Sequence, residues 1–66
     1  MNVRVNGKPA VLPEESTVAS LMENLKLGPR GVAVEVNEQL VVRKDWAATS
    51  LREGDRIEIV TLVGGG

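Results

Sequence analysis

Apolar and polar side chains alternate at the start of the chain, which predicts a half-buried β-strand. Residues 2–6 read NVRVN, so both valines fall on one side of an extended segment. The Asn6-Gly7 pair that follows is typical of a type I′ turn, because both central positions of that turn need a positive φ. The chain is therefore expected to return as a second strand over residues 8–12. Pro9 lacks a donor for the strand ladder and places this strand at a sheet edge.

The next segment has the periodicity of an amphipathic helix. Its apolar residues fall at i, i+3, i+4 and i+7 and are Val18, Leu21, Met22 and Leu25. Ser16 or Thr17 can cap the amino end, and Gly28 followed by Pro29 is expected to stop the helix. A helix with one apolar face, placed after a hairpin, is expected to cover one face of a sheet.

The second half of the chain predicts strands again. In order it contains a strand over 32–37, a polar turn at 37–39, a short strand over 40–43, a helical turn within 44–51, a tight turn at 53–55 and a long strand over 56–63. The long strand is almost continuously apolar, so it is expected near the middle of the sheet and covered on more than one side. Trp46, the only aromatic residue, is expected to fill the edge of a small core. The predicted class is α+β, a mixed sheet of about five strands with one main helix across one face.

Composition narrows the function classes. The chain has 66 residues, 42% of them hydrophobic, and a net charge of -1. It is too apolar for a disordered protein and lacks the basic excess of proteins held to nucleic acid by charge. Because there is no Cys and no His, disulfide frameworks, thiolate nucleophiles and zinc-finger sites are excluded. No apolar run approaches the ~20 residues of a membrane span, and no secretory signal is visible. We expect a cytoplasmic carrier, adaptor or small subunit rather than an enzyme acting alone, with no cofactor or metal of its own.

The last residues carry the candidate chemistry. Gly64, Gly65 and Gly66 follow directly on the predicted central strand, without a polar spacer. A frayed end or a linker remnant is the plain alternative, since glycine tracts are flexible. Three extended residues reach about 10 Å, and without Cβ atoms they can enter a channel closed to other residues. We therefore expect a domain over 1–63 and a flexible tail over 64–66 that presents a carboxylate for activation by another protein.

The order of elements and the glycine ending resemble the ubiquitin-like β-grasp, and in particular the ThiS family of sulfur carriers in thiamine biosynthesis. The resemblance covers essentially the whole chain. Its most specific parts are VNEQLVVRKDWA at 36–47 and LREGDRIEIVTLVGGG at 51–66. STVASLMENL at 16–25 also fits the family, but less specifically. The residue before the final pair, Gly64, is a position where other small residues occur in the family.

What the resemblance implies is a carrier rather than a catalyst. A ubiquitin-activating-type enzyme (ThiF-like) would use ATP to adenylate the carboxyl group of Gly66. With a sulfur donor such as a cysteine desulfurase, the adenylated carboxyl group would be converted to a thiocarboxylate. A thiazole synthase (ThiG-like) would then accept the sulfur. Gly65 and Gly64 would occupy the partner's channel, and Leu62 and Val63 are candidate docking residues after a first role in the strand core. Nucleic acid and membranes are not expected partners.

Two other functions share the same tail. A sulfur carrier for molybdopterin synthesis would use identical chemistry with a different acceptor, although that family is usually longer. A ubiquitin-like protein modifier would join its terminal glycine to lysines through an isopeptide bond.

Overall fold

A five-stranded mixed sheet forms the frame of the molecule, with strand order β2-β1-β5-β3-β4. The computed structural model describes residues 1–28 and 30–62. The elements are β1 (Asn2–Val5), β2 (Lys8–Val11), α1 (Val18–Asn24), β3 (Val32–Val36), β4 (Gln39–Val41), a 3₁₀ helix (Arg43–Ala48) and β5 (Arg56–Thr61). This arrangement confirms the predicted α+β class and its single main helix. No helix within the described ranges has the length and apolarity needed to cross a membrane.

The first hairpin forms as the alternation predicts. β1 and β2 pair antiparallel, and Asn6 and Gly7 have φ values of 52° and 81°. Both values lie in the left-handed region that a type I′ turn requires, so the turn prediction is confirmed. β2 lies at the sheet edge, where Pro9 does not interrupt a ladder on its outer side.

The helix begins as predicted but ends earlier. Thr17 is its N-cap and exchanges hydrogen bonds with Ser20 in a capping box, which satisfies two donors at the start of the helix. The helix ends at Asn24, four residues before Gly28. Lys26 takes the left-handed conformation, with φ 58°, that glycine usually supplies. The predicted stop at Gly28 is therefore wrong, because Lys26 turns the chain first.

The last strand lies at the centre of the sheet. β5 pairs parallel with β1 and antiparallel with β3, which confirms its predicted position. The fourth strand is shorter than the predicted 40–43 and begins one residue sooner, at Gln39. Arg43 belongs to the 3₁₀ helix instead, where Trp46 is buried and donates from Nε1 to the carbonyl oxygen of Val41 at 3.0 Å.

The core lies between α1 and one face of the sheet. Its buried residues come from the strands, α1, the 3₁₀ helix and the connecting loops: Val3, Leu12, Val18, Leu21, Met22, Val34, Trp46, Leu51, Ile57 and Ile59. Along β5, Ile57 and Ile59 are buried whereas Arg56, Glu58 and Val60 are exposed. The expectation that this strand is covered on more than one side is therefore wrong. α1 is short and covers a single face, and we call the other one the open face.

Candidate functional site

Four of the five candidate site residues lie beyond the part of the chain that the structure describes. Val63, Gly64, Gly65 and Gly66 follow Leu62, where the described residues end. The geometry of the site therefore concerns the residues from which the tail continues. We call residues 59–62 the tail root.

The tail root is held on the β1 side by a side chain. Asn6 donates from Nδ2 to the carbonyl oxygen of Ile59 at 3.2 Å and accepts from the Ile59 N–H at 2.7 Å. The main-chain N–H of Asn6 also donates to the carbonyl oxygen of Ile57 at 2.8 Å. β1 ends at Val5 and the chain turns back into β2, so the Asn6 amide extends the parallel ladder by one step. Ile59 is thereby fixed although no strand residue faces it from β1.

The other side of the tail root is held by β3. Val32 and Ala33 lie opposite Thr61 and Val60, and the Leu62 N–H donates to the carbonyl oxygen of Gly31. Gly31 has φ 72°, and a Cβ atom placed there would lie 3.4 Å from the Leu62 carbonyl oxygen. The chain before β3 thus approaches the tail root closely, in a conformation that favours glycine.

Leu62 is a surface residue. Its exposed fraction is 58%, and that of Val60, two positions earlier, is 55%. The expectation that Leu62 serves first in the strand core is therefore wrong, since the sheet face on this side carries no helix. An exposed leucine beside an exposed valine at the end of the central strand leaves apolar surface next to the tail.

The turn that leads into β5 is also anchored. The Asn2 N–H donates to Glu53 Oε1 at 2.9 Å, and the Gly54 N–H donates to the Asn2 carbonyl oxygen at 2.7 Å. The hydrogen bond from Asn2 lowers the pKa of Glu53 below its ordinary value of 4.5. The start of β5 is therefore tied to β1 as its end is tied to β3.

Side chains able to bind a metal ion are not clustered in the described part of the chain. Across 1–28 and 30–62, no three Asp or Glu side chains are grouped so as to hold a metal ion. What the arrangement provides is a strand anchored on both sides, with exposed apolar residues where it ends. Sequence reasoning located this strand but missed Asn6 and Gly31, because their contacts depend on strand order. The positive φ of an Asn-Gly turn was the only available signal for Asn6.

Comparison with known proteins decides the family. A model of the ThiS family matches residues 3–66. The chain belongs to the ThiS family. It is 30% identical over 66 residues to the sulfur carrier protein ThiS of Escherichia coli, and the match covers 100% of both chains. The crystal structure of the thiamine biosynthesis protein ThiS of Geobacter metallireducens superposes with a TM-score of 0.84 at 36% identity, again over 100% of both chains. The ubiquitin-like β-grasp expected for ThiS is thus confirmed.

A second group of relatives is much longer than this ThiS-family chain. A thiazole synthase of Magnetococcus marinus is 38% identical over 66 residues, which is 100% of the chain and 20% of that protein. The chain therefore spans about a fifth of the length of the thiazole synthases it matches.

Proposed function

We infer that this ThiS-family chain, a sulfur carrier of thiamine biosynthesis, carries its sulfur on the carboxyl group of Gly66. The observation that supports this site is the tail root. The central strand is anchored by Asn6 and Gly31 up to Leu62, which is exposed immediately before the four terminal residues. A firm strand followed by a glycine tail can present a carboxylate to another protein without loss of fold.

The division of labour follows from the residue types. Residues 1–63 form the β-grasp domain, and residues 64–66 form the tail. Gly65 and Gly64 lack side chains, so they fit a narrow channel in the partner that leads to its ATP site. Leu62 and Val63 contact the mouth of that channel, since apolar surface next to the tail loses water when the partner binds.

The reaction needs no catalytic side chain from the carrier. A carboxylate oxygen of Gly66 attacks the α-phosphorus of ATP in the activating enzyme, pyrophosphate leaves, and an acyl adenylate forms. The persulfide sulfur of the donor then attacks the carbonyl carbon, AMP leaves, and an acyl disulfide forms. A thiol attacks that disulfide, which releases the thiocarboxylate and leaves a disulfide between the thiol and the donor. The enzyme supplies the ATP site and a donor such as a cysteine desulfurase supplies the sulfur. The chain is therefore a carrier and not an enzyme, in keeping with a sequence that has neither Cys nor His.

The acceptor of the sulfur is a thiazole synthase. Proteins with that name contain a region similar to the whole of this chain within one polypeptide. A carrier joined to a synthase in one polypeptide supports a partnership between the two when they are separate chains. We place the reaction in the cytoplasm, where the activating enzyme has access to ATP.

Intact-mass spectrometry tests this proposal. The chain is incubated with ATP, a ThiF-like activating enzyme and a cysteine desulfurase with cysteine. The expected product is heavier by the difference between one sulfur and one oxygen, and a chain lacking Gly66 stays unchanged. An unchanged mass for the full chain, with enzyme shown to be active on another carrier, would rule the proposal out. Conjugates to lysines of other proteins, lost with Gly66, would point to a protein modifier instead.

A further inference from the structure

The open face of the sheet carries two pairs of like charges, and the members of each pair are neighbours on adjacent strands. Arg4 on β1 lies opposite Arg56 on β5, and Glu35 on β3 lies opposite Glu58 on β5. All four residues are exposed. Directly opposed like charges destabilise a sheet, whereas opposed unlike charges stabilise it. The fold therefore carries this arrangement twice on one surface.

The fold does not neutralise these charges internally. Among residues 1–28 and 30–62, no ion pair joins either arginine to either glutamate. The Arg4 guanidinium donates to the carbonyl oxygen of Gly7 at 3.0 Å, which leaves its charge uncompensated. Exchanging the two residues on β5 would pair each with an opposite charge, so the cost is not imposed by the topology.

The charges form an ordered series along β5. Arg56, Glu58, Val60 and Leu62 are exposed at every second position, and the residues between the first three, Ile57 and Ile59, are buried. Residues two apart on a strand are separated by about 7 Å. A surface that begins at the tail root therefore meets exposed apolar side chains first, then the acidic pair, then the basic pair.

We propose that the two like-charge pairs orient the adenylating enzyme on the open face. The enzyme would place a basic side chain opposite Glu35 and Glu58, and an acidic side chain opposite Arg4 and Arg56. In the complex, each like-charge pair of the carrier would then be attracted to a side chain of opposite charge on the enzyme. With the tail in the enzyme's channel, the sign order fixes the rotation of the carrier about β5.

This inference rests on the proposed function, because that function requires an adenylating enzyme. The fit is electrostatic and is separate from the chemistry at Gly66. Binding without ATP can therefore be measured whether or not sulfur is loaded.

The test exchanges the two charges on β5. The variant Arg56→Glu with Glu58→Arg keeps composition and net charge but gives Arg4 and Glu35 partners of opposite sign. Its affinity for the purified ThiF-like enzyme is measured by titration calorimetry without ATP, and its thermal unfolding is recorded. A matched control exchanges Glu23 and Arg43, which are exposed on the helix side of the fold, as Glu23→Arg with Arg43→Glu.

We expect the β5 exchange to raise Tm by roughly 2–4 °C, since two repulsions become attractions in a small domain. We expect the same variant to bind the enzyme about tenfold or more weakly. The difference in affinity shrinks as ionic strength rises, because exposed charges are screened. The control binds like the original chain.

Unchanged affinity of the β5 exchange would overturn the inference, as would a lower Tm. If the original chain sediments as a dimer and the exchange variant as a monomer, the open face serves a second copy and the assignment to the enzyme falls. If the original chain is loaded with sulfur but the β5 exchange variant binds the enzyme with unchanged affinity, only this inference is removed. If the original chain is not loaded but the variant binds more weakly, only the proposed chemistry is removed.

Discussion

The side-chain amide of Asn6 takes the place of a strand residue for Ile59. Its oxygen accepts from the Ile59 N–H at 2.7 Å, and its nitrogen donates to the Ile59 carbonyl oxygen at 3.2 Å. The φ of 52° at Asn6 starts the hairpin and directs the side chain toward β5. One residue therefore closes the β1–β2 turn and holds the central strand two residues before its end.

Replacement of Asn6 separates these two roles. Asn6→Gly keeps the left-handed backbone but loses both hydrogen bonds, so we expect a loss of about 1–3 kcal/mol in the free energy of unfolding. Asn6→Ala loses the bonds and adds about 1 kcal/mol of backbone strain. Urea denaturation of both variants measures the two terms. Equal stability of Asn6→Gly and the original chain would show that the amide does not hold Ile59.

Lys26 ends the helix at a stability cost that a single substitution removes. Its N–H donates to the Glu23 carbonyl oxygen, and the Leu27 N–H donates to that of Met22, which is the Schellman pattern. The left-handed position in that motif, with φ 58°, is occupied by a lysine. We expect Lys26→Gly to stabilise the fold by about 0.5–1 kcal/mol, measured by denaturation. Lys26→Ala, which retains the strain, serves as the control and gives no such gain.

The hydrophobic pattern predicted most of the fold because each strand has one face in the core. Period-two valines in β1 and β3, with a helical stripe between them, allow few arrangements other than a helix on one face of a sheet. The Asn6-Gly7 turn was also local, since its φ values follow from the two residue types. These features depend on neighbours along the chain and are therefore visible in the sequence.

The features that sequence reasoning missed depend on which strands are adjacent. The apolar run of β5 predicted a central strand, but nothing local to Val60 or Leu62 shows that their side of the sheet has no cover. The opposition of Glu35 and Glu58 likewise follows from the register of β3 on β5. The tail glycines lay within reach of sequence reasoning, whereas the residues that hold the tail root did not.

Gly31 is expected to be sensitive to any side chain. Its φ of 72° opposes substitution, whereas a Cβ atom at this position would lie at a contact distance of 3.4 Å from the Leu62 carbonyl oxygen. We expect Gly31→Ala to cost about 1–2 kcal/mol by denaturation, chiefly from backbone strain. Gly28→Ala is the matched control, because a Cβ there meets no atom within 4 Å. A Gly31→Ala variant as stable as Gly28→Ala would contradict the assignment of strain.

The carboxylate of Glu53 links stability to pH. The hydrogen bond from the Asn2 N–H holds its pKa below 4.5 in the folded chain, so the folded state binds this proton less readily than the unfolded state. The resulting stabilisation is present above the unfolded pKa and is lost as pH falls through the folded pKa. We expect Glu53→Gln to show a smaller loss of stability on acidification from neutral pH than the original chain. The free energy of unfolding of both proteins is measured by denaturation at several pH values. An equal loss of stability in the two proteins on acidification would contradict the linkage.

The tail glycine before the last is expected to matter for loading and not for folding. Gly65→Leu adds a side chain that a channel shaped for glycine excludes. The rate of sulfur loading, measured by intact mass, should therefore fall by at least about tenfold, which corresponds to an increase of about 1.4 kcal/mol in the activation free energy. Its denaturation curve should match that of the original chain, because we propose a tail separate from the domain whose described core runs from Val3 to Ile59. Leu62→Ala is the comparison variant at the tail root, which weakens an apolar contact but leaves the tail free to enter. Loading of Gly65→Leu at the original rate would show that the partner reaches the terminal carboxylate without a narrow channel.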